Sequence, residues 1–481
     1  MQQKIEKTIL SFIMRKYLLF LLALAFYSPL QSQPAGEKYF TVRELKEDMD
    51  SLRLWLKLTH PKLYFHSDSV RTEKKWNDAR RKLIAPMKKA GFEKLLSPLL
   101  AQYNDGHTFI DIGFDSPEFQ DFSKNKGKLF PFETMVVDRQ LVVKKSWGEG
   151  KLEAGVIIDQ INNRKTSEIV KELTSSIPGD YAENVNASVS RLFPFLLWKN
   201  YSWKDSFDIV YRNADGKQQS LRINGITTDR WFAMNFPRPN WTLQLYPEQK
   251  LAVIECTSYQ GSTARVQQVL DSFFTIIKEN KVEHLAFDLR RNGGGNSYLG
   301  NIFLSYLTQK PFAAVVSKSL RDSRVLNQLP GDHWLKKDLE RARTNWKQQG
   351  EYLVNDFAPD PVPGLRDTSL GFKGKFYLLT SARTYSSAHM TALQVKCYRI
   401  GTIIGQPTGE DLDLTGEIIE LRLPNTQVVA VCPTAEYKAA CHNNNKLGVQ
   451  PDHFVPLSIE TIRRGEDAEL KYLFDMIKKR K

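Results

Sequence analysis

Leu378-Leu379-Thr380-Ser381-Ala382-Arg383-Thr384-Tyr385-Ser386-Ser387-Ala388-His389-Met390 is the stretch on which the reading of this chain turns. The apolar residues at 376–379 have the composition of a buried strand. Small and hydroxyl residues follow, and apolar periodicity at 388–398 then predicts a helix. A strand that passes so abruptly into a helix sets the Ser386 hydroxyl at a helix N-terminus. Unpaired N–H groups and the helix dipole favour negative charge there. An attacking serine needs such a place, and an ordinary N-cap also occupies it.

Two further segments suit the same chemistry. Phe287-Asp288-Leu289-Arg290-Arg291-Asn292-Gly293-Gly294-Gly295-Asn296 reads as a strand that ends in a glycine run, where backbone can come close to a ligand. It is no dinucleotide loop, because Tyr298 stands where the third glycine of Gly-x-Gly-x-x-Gly would fall. No Lys-Ser or Lys-Thr pair marks a nucleotide loop either. Asn104-Asp105-Gly106-His107-Thr108 ends a helical stretch and offers an imidazole, whose pKa near neutrality suits a general base. Asp288 and Arg290 are read as holding the glycine loop rather than reacting.

Taken together, these segments resemble the tail-specific (C-terminal processing) serine peptidases, in the branch of the tricorn core and interphotoreceptor retinoid-binding protein and of secreted bacterial type. The likeness also rests on His60-Pro61-Lys62-Leu63-Tyr64, Gly405-Gln406-Pro407-Thr408-Gly409, Leu423-Pro424-Asn425-Thr426 and Gly448-Val449-Gln450-Pro451-Asp452. It spans residues 40–460. The resemblance implies an α/β protein (α+β overall) with a ClpP/crotonase-like ββα core and a polypeptide substrate. It implies Ser386 as nucleophile, His107 as general base, and the N–H groups of Gly294 and Ser387 as an oxyanion hole. Many members carry a lysine about 25 positions after the serine; Asp411 stands there instead. The tricorn-like branch orients its histidine with a glutamate before the Gly-Val-x-Pro-Asp segment, where this chain has Asn445. Glu410, Asp411, Glu417 and Asp105 are alternatives for that orienting role. His60 is read as architectural, with Pro61 stopping the helix before it. The competing function is a catalytically inactive peptide- or ligand-binding protein on the same scaffold.

The composition, 41% apolar and 25% charged over 481 residues, is that of a globular protein of several domains. A net charge of +14 comes without an arginine-rich run or a nucleic-acid motif, so no nucleic-acid partner is expected. Arg15 and Lys16 precede an apolar run at 17–27 and a polar exit at 29–33, the pattern of a signal peptide over 1–33 with Met14 as an alternative start. Export to the periplasm, the outer membrane or the medium is therefore expected. The competing reading of the same segment is an uncleaved membrane anchor; attachment through a lipidated cysteine is not expected, since the first cysteine is Cys256. Export permits disulfides among Cys256, Cys397, Cys432 and Cys441. A hairpin could join Cys432 to Cys441, while Cys256 and Cys397 lie in apolar elements. No cysteine pair has metal-ligand spacing, and no metal or other cofactor is expected.

The expected domains are an N-terminal helical domain at 38–115, a module at 125–225, the α/β core at 230–460 and a C-terminal helix at 461–481. Helical periodicity appears at 42–60, 73–83 and 92–103. Residues 155–163 resemble the groove of a PDZ-like module, a pattern other strand–turn–helix units share. From about residue 230 strands and helices alternate, which predicts a partly parallel sheet. The charged stretch 309–372 breaks that order and reads as an insertion covering the site. A hairpin is expected across Pro424-Asn425.

Overall fold

The computed structural model describes residues 38–150, 152–213, 215–236, 238–359, 363–365, 367–441 and 448–479. The expected signal peptide, and Asn445 with its neighbours 442–447, lie outside the described residues. The fold is a mixed α/β one. Its centre is a six-stranded sheet in the order Trp241–Tyr246, Leu251–Cys256, His284–Asp288, Lys375–Thr380, Thr402–Gly405, His453–Phe454. The first pair is antiparallel and the remaining pairs are parallel. Its middle strands are buried on both faces, which is why they read as unbroken apolar runs. Helices Thr263–Glu279, Ser297–Ser305 and Ser387–Cys397 cover one face through a core that includes Leu270, Phe303 and Ala392. Helix Ala468–Lys478 covers the other through Leu473 and Ile477.

A second sheet, ordered Gln218–Asn224, Ser206–Arg212, Ile157–Ile161, Gln140–Ser146, Phe132–Val137, is antiparallel along this path and packs on helices Thr166–Thr174 and Ala182–Tyr201. The twenty-residue helix Ala182–Tyr201 was not anticipated. Pro194 sits inside it, and a proline in an apolar run argues against a helix interior.

The stretch 309–372 builds a third sheet. It supplies strands Val315–Arg321, Lys347–Gln349 and Tyr352–Asp356 and the helix Trp334–Asn345. These join the expected hairpin, whose strands Thr415–Arg422 and Val429–Ala439 pair with Arg422 opposite Val429. The N-terminal helices Val42–Thr59, Ser69–Lys82 and Lys89–Ala101 pack against this sheet in one apolar core. Thr41 and Glu44 close the first of these helices with a capping box.

That arrangement corrects the expected disulfide. Cys432 and Cys441 lie nine residues apart along one extended strand and the residues just beyond it, roughly 30 Å at about 3.3 Å per residue. The bridge joins Cys441 to Cys397 at the end of helix Ser387–Cys397. Cys256 and Cys432 are free and buried. Among the described residues no helix is long and apolar enough to cross a membrane.

The start of the chain is tied to the hairpin by one carboxylate. Asp48 is fully buried and accepts the N–H groups of Asn425 and Thr426 at 2.8 and 2.7 Å, as well as both of their side chains. The Leu423-Pro424-Asn425-Thr426 segment is thus a turn folded around an acid from the first helix. Asp48→Ala leaves those donors without partners in a dry place. It should lower stability by about 2–4 kcal/mol in chemical denaturation, whereas the exposed Glu47→Ala should be nearly neutral.

Candidate active site

The parallel strands His284–Asp288 and Lys375–Thr380 are neighbours, so the loops leaving their carboxyl ends meet. Crevices of this kind are where open α/β sheets bind ligands. Three hydrogen bonds lace the two loops together. Ser381 Oγ donates to Arg290 O at 2.7 Å, Thr384 Oγ1 to Leu289 O at 2.9 Å, and Tyr385 N to Asn292 O at 3.1 Å. Arg290 anchors the first loop from below, paired with Asp288 at 2.6 Å and with Asp467 and Glu469 of the last helix. This is the holding role expected of Asp288 and Arg290.

Ser386 sits at the start of helix Ser387–Cys397 with φ 53° and ψ −126°. A residue bearing a Cβ rarely adopts this conformation, and such strain gathers at functional sites. Its own hydroxyl does not cap the helix. Gly294, at φ 105°, lies directly against it: a Cβ there would come within 2.8 Å of Ser386 Cβ and 3.0 Å of Ser387 N. The Ser387 N–H heads the helix, among the donors that helix geometry leaves unpaired. The Gly294 N–H is engaged, donating to Asn292 Oδ1 at 2.8 Å. Ser387 Oγ donates to Gly295 O at 2.6 Å and fixes the glycine loop on the helix.

His107 reaches this place from the N-terminal third. Its ring packs on that of Tyr385 at 5.1 Å between centroids. Its Nδ1 lies 3.3 Å from Thr415 Oγ1, 3.4 Å from Glu410 Oε1 and 4.0 Å from Asp105 Oδ1. Glu410 is fully buried, and its other oxygen, Oε2, accepts the Ser386 N–H at 2.6 Å. One carboxyl group therefore stands between the serine's backbone and the imidazole. Oε1 faces His107 without the alignment of a hydrogen bond.

Asp105 organises the other side. It accepts from His60 Nε2 at 2.6 Å, from the His107 N–H at 2.8 Å and from Thr415 Oγ1 at 3.0 Å. His60 Nδ1 accepts the Lys62 N–H, so its Nε2 carries the hydrogen directed at Asp105. His60, read as architectural, belongs to this network. Asp180 accepts from Tyr385 Oη at 2.7 Å and from the N–H groups of Gly106 and Asp411.

These buried acids divide in charge. Burial alone would raise the Asp105 carboxyl, but the His60 hydrogen bond and the adjacent imidazoles outweigh it and hold it below the usual carboxylate range. Burial, and then the Asp105 charge, push Asp180 up to about 6. Burial, and then Asp180, raise Glu410 well above its ordinary value. Burial lowers the pKa of His107, an effect Asp105 opposes.

The structure thus brings Ser386, Ser387, Gly294 and His107 together. Two expected orienting residues lie elsewhere. Asp411 follows Glu410 in the bent segment between strands Thr402–Gly405 and Thr415–Arg422, and it meets His66 Nε2 at 3.0 Å instead. Glu417 has a left-handed φ of 55° and meets Lys318 at 3.0 Å and Tyr437 at 2.5 Å. Asp180, Tyr385 and Thr415 carried no signal in the sequence, since each comes to the site only through long-range packing.

A strained serine thus stands at a helix start, backed by glycine, with a buried histidine–carboxyl network beside it. Residues 250–455 match the family model "Peptidase family S41", that of the tail-specific serine peptidases. Its general activity class is that of a serine-type peptidase. Among solved structures, mature CPAF is similar, at 13% identity over 91% of this chain and 97% of that one, with a TM-score of 0.61. A CPAF mutant gives 13%, 91%, 97% and 0.64. At such identities these matches support the fold. The photosystem II D1 C-terminal processing protease is similar more loosely, at 14% identity over 89% and 98% with a TM-score of 0.45. No curated protein matches the chain.

Gly294→Ala should place a methyl group on Ser386 in a backbone conformation that alanine resists. We expect peptidase activity to fall by at least about 10²-fold, the scale of one misplaced reacting group. Gly331→Ala, where a Cβ meets nothing, should leave activity unchanged.

Proposed function

We propose that the protein is an exported serine peptidase that cleaves polypeptides through an acyl-enzyme, with Ser386 as nucleophile and His107 as general base. The observation that carries this reading is the Glu410 carboxyl, which binds the Ser386 backbone and faces His107 at once. The acceptors around His107 Nδ1 favour a hydrogen on that nitrogen, which leaves Nε2 as the basic one. Nε2 takes the Ser386 hydroxyl proton as Oγ attacks the scissile carbonyl, and returns it to the leaving amine. Asp105, held ionised, compensates the imidazolium from 4.0 Å, and Glu410 and Thr415 fix the ring.

The oxyanion falls to the Ser387 N–H and, beside it, to the Gly294 N–H. Asn292 Oδ1 is the acceptor the oxyanion would displace. That engaged donor also favours the second reading, a peptide-binding protein without turnover. We assign to the module at 125–225 a PDZ-like role, holding substrate chains by strand addition. Export is supported by the sequence of residues 1–33 and by the Cys397–Cys441 disulfide, which suits an oxidising compartment.

The base must be neutral to act, and burial keeps His107 neutral to lower pH than a free imidazole. The acid limb of kcat/KM for an unfolded protein substrate should therefore have its midpoint below 6.5. Asp105 raises that pKa, so Asp105→Asn should move the limb to still lower pH while kcat falls. His107→Ala should lose about 10²–10⁴-fold in kcat. A limb unmoved by Asp105→Asn, or full turnover by His107→Ala, would remove His107 as base. Saturable peptide binding by a wild type that never turns over would establish the second reading.

A further inference from the structure

One acid that the proposed chemistry does not use lies outside the matched residues 250–455. Asp180 stands in the loop between helices Thr166–Thr174 and Ala182–Tyr201, which pack on the second sheet. Its Oδ1 accepts the Tyr385 hydroxyl at 2.7 Å and the Gly106 N–H at 3.1 Å, and its Oδ2 accepts the Asp411 N–H at 3.1 Å. Gly106 precedes His107, Tyr385 precedes Ser386, and Asp411 follows Glu410. One carboxyl group therefore holds the residue next to the proposed base, the residue next to the proposed nucleophile and the residue next to the carboxyl group that stands between them.

The chain around Asp180 is docked on the same place. Asn184, in the first turn of helix Ala182–Tyr201, donates from Nδ2 to Ala382 O at 2.8 Å, in the loop that leads to Ser386. The approach leaves no slack. A Cβ on Gly106 would fall 2.5 Å from Tyr385 Oη, and one on Gly409 would fall 2.5 Å from Asn184 Nδ2. The segments that carry His107 and Glu410 thus come against this dock at distances that only glycine allows.

A base that must meet the serine hydroxyl needs its ring and its loop fixed, because small displacements of a reacting group are costly. The His107 ring lies on the Tyr385 ring at 5.1 Å, and the Tyr385 hydroxyl is fixed by Asp180. Removing the carboxyl group would leave three donors without their acceptor at once, and the three segments would have to shift to satisfy them. We infer that Asp180 is a positioning residue for the reaction, holding the His107, Ser386 and Glu410 segments in register from the second sheet's module. It acts through their neighbours and not on the reacting atoms. This rests on the peptidase reading for the word reaction, but the holding of the imidazole does not require turnover. The consequence is that residues 250–455, even with His107 supplied, lack one support of the site, which the module at 125–225 provides.

The test uses the full-length protein and an unfolded protein substrate. Asp180→Ala should lower kcat about tenfold to a hundredfold, the scale of a reacting group misplaced by about 1 Å, with KM within about twofold. Asp180→Asn should recover most of that loss, since an amide oxygen in the place of Oδ1 still accepts from Tyr385 and Gly106. Tyr385→Phe keeps the ring and removes the hydroxyl; it should reproduce part of the loss, and it serves if Asp180→Ala folds poorly. Asp208→Ala, at an exposed acid of the same module, should leave kcat unchanged. The second readout is the ring-carbon NMR signal of His107 in protein labelled with carbon-13 histidine, assigned by its absence in His107→Gln. That signal should move in Asp180→Ala and in Tyr385→Phe. An unchanged kcat in Asp180→Ala, a loss carried by KM alone, or a His107 signal that stays in place would overturn the positioning role. A wild type without turnover whose His107 signal still moves in Asp180→Ala would strike the peptidase reading and leave the held imidazole standing.

Discussion

The Glu410 carboxyl is the point on which the site depends. It is sealed from water, binds the Ser386 N–H through one oxygen and faces His107 with the other. The histidine and the serine are far apart in the chain, and their partners must be brought together by packing. The first helices pack on the third sheet, the hairpin strand Val429–Ala439 pairs with Phe109–Ile110, and the loop before that short strand carries His107 to the site. Asp48 secures the same end of the hairpin by holding its turn.

Burial sets the electrostatics. A carboxyl group deprived of water stays ionised only where donors and cations replace it. Asp105 has such partners in His60, Thr415 and the His107 N–H, and it remains charged. Glu410 has one strong donor and an acidic neighbour, and it is driven towards its neutral form. The two acids beside one imidazole therefore differ in kind. One supplies charge and the other supplies position. The strain at Ser386 belongs to the same design, since the laced loops and the glycine backbone hold a conformation that a free serine would leave.

Much of this was legible in the residues. The strand–turn–helix passage at 376–398, the glycine run and the Asp-Gly-His-Thr segment each carry local patterns, and the structure places all three in one crevice. What escaped the sequence was decided at long range. Glu410 and Asp411 are adjacent acids in one loop, and only the fold shows which of them meets His107 and which meets His66. Asp180 has no periodicity or motif around it. His60 looked like the end of a helix, and it is one, yet its ring also holds Asp105. The charged stretch 309–372 lacked clean alternation because its strands are short and partly exposed, and so it read as a cover rather than as a sheet.

The central claim is that Ser386 is a nucleophile activated by His107. Its most direct test is reaction of the folded protein with a fluorophosphonate, followed by peptide mapping of the adduct. The account predicts a single phosphonylated residue, Ser386, with labelling abolished in Ser386→Ala and strongly slowed in His107→Ala. Labelling of Ser387 or another residue, or equal labelling of the Ser386→Ala protein, would contradict it.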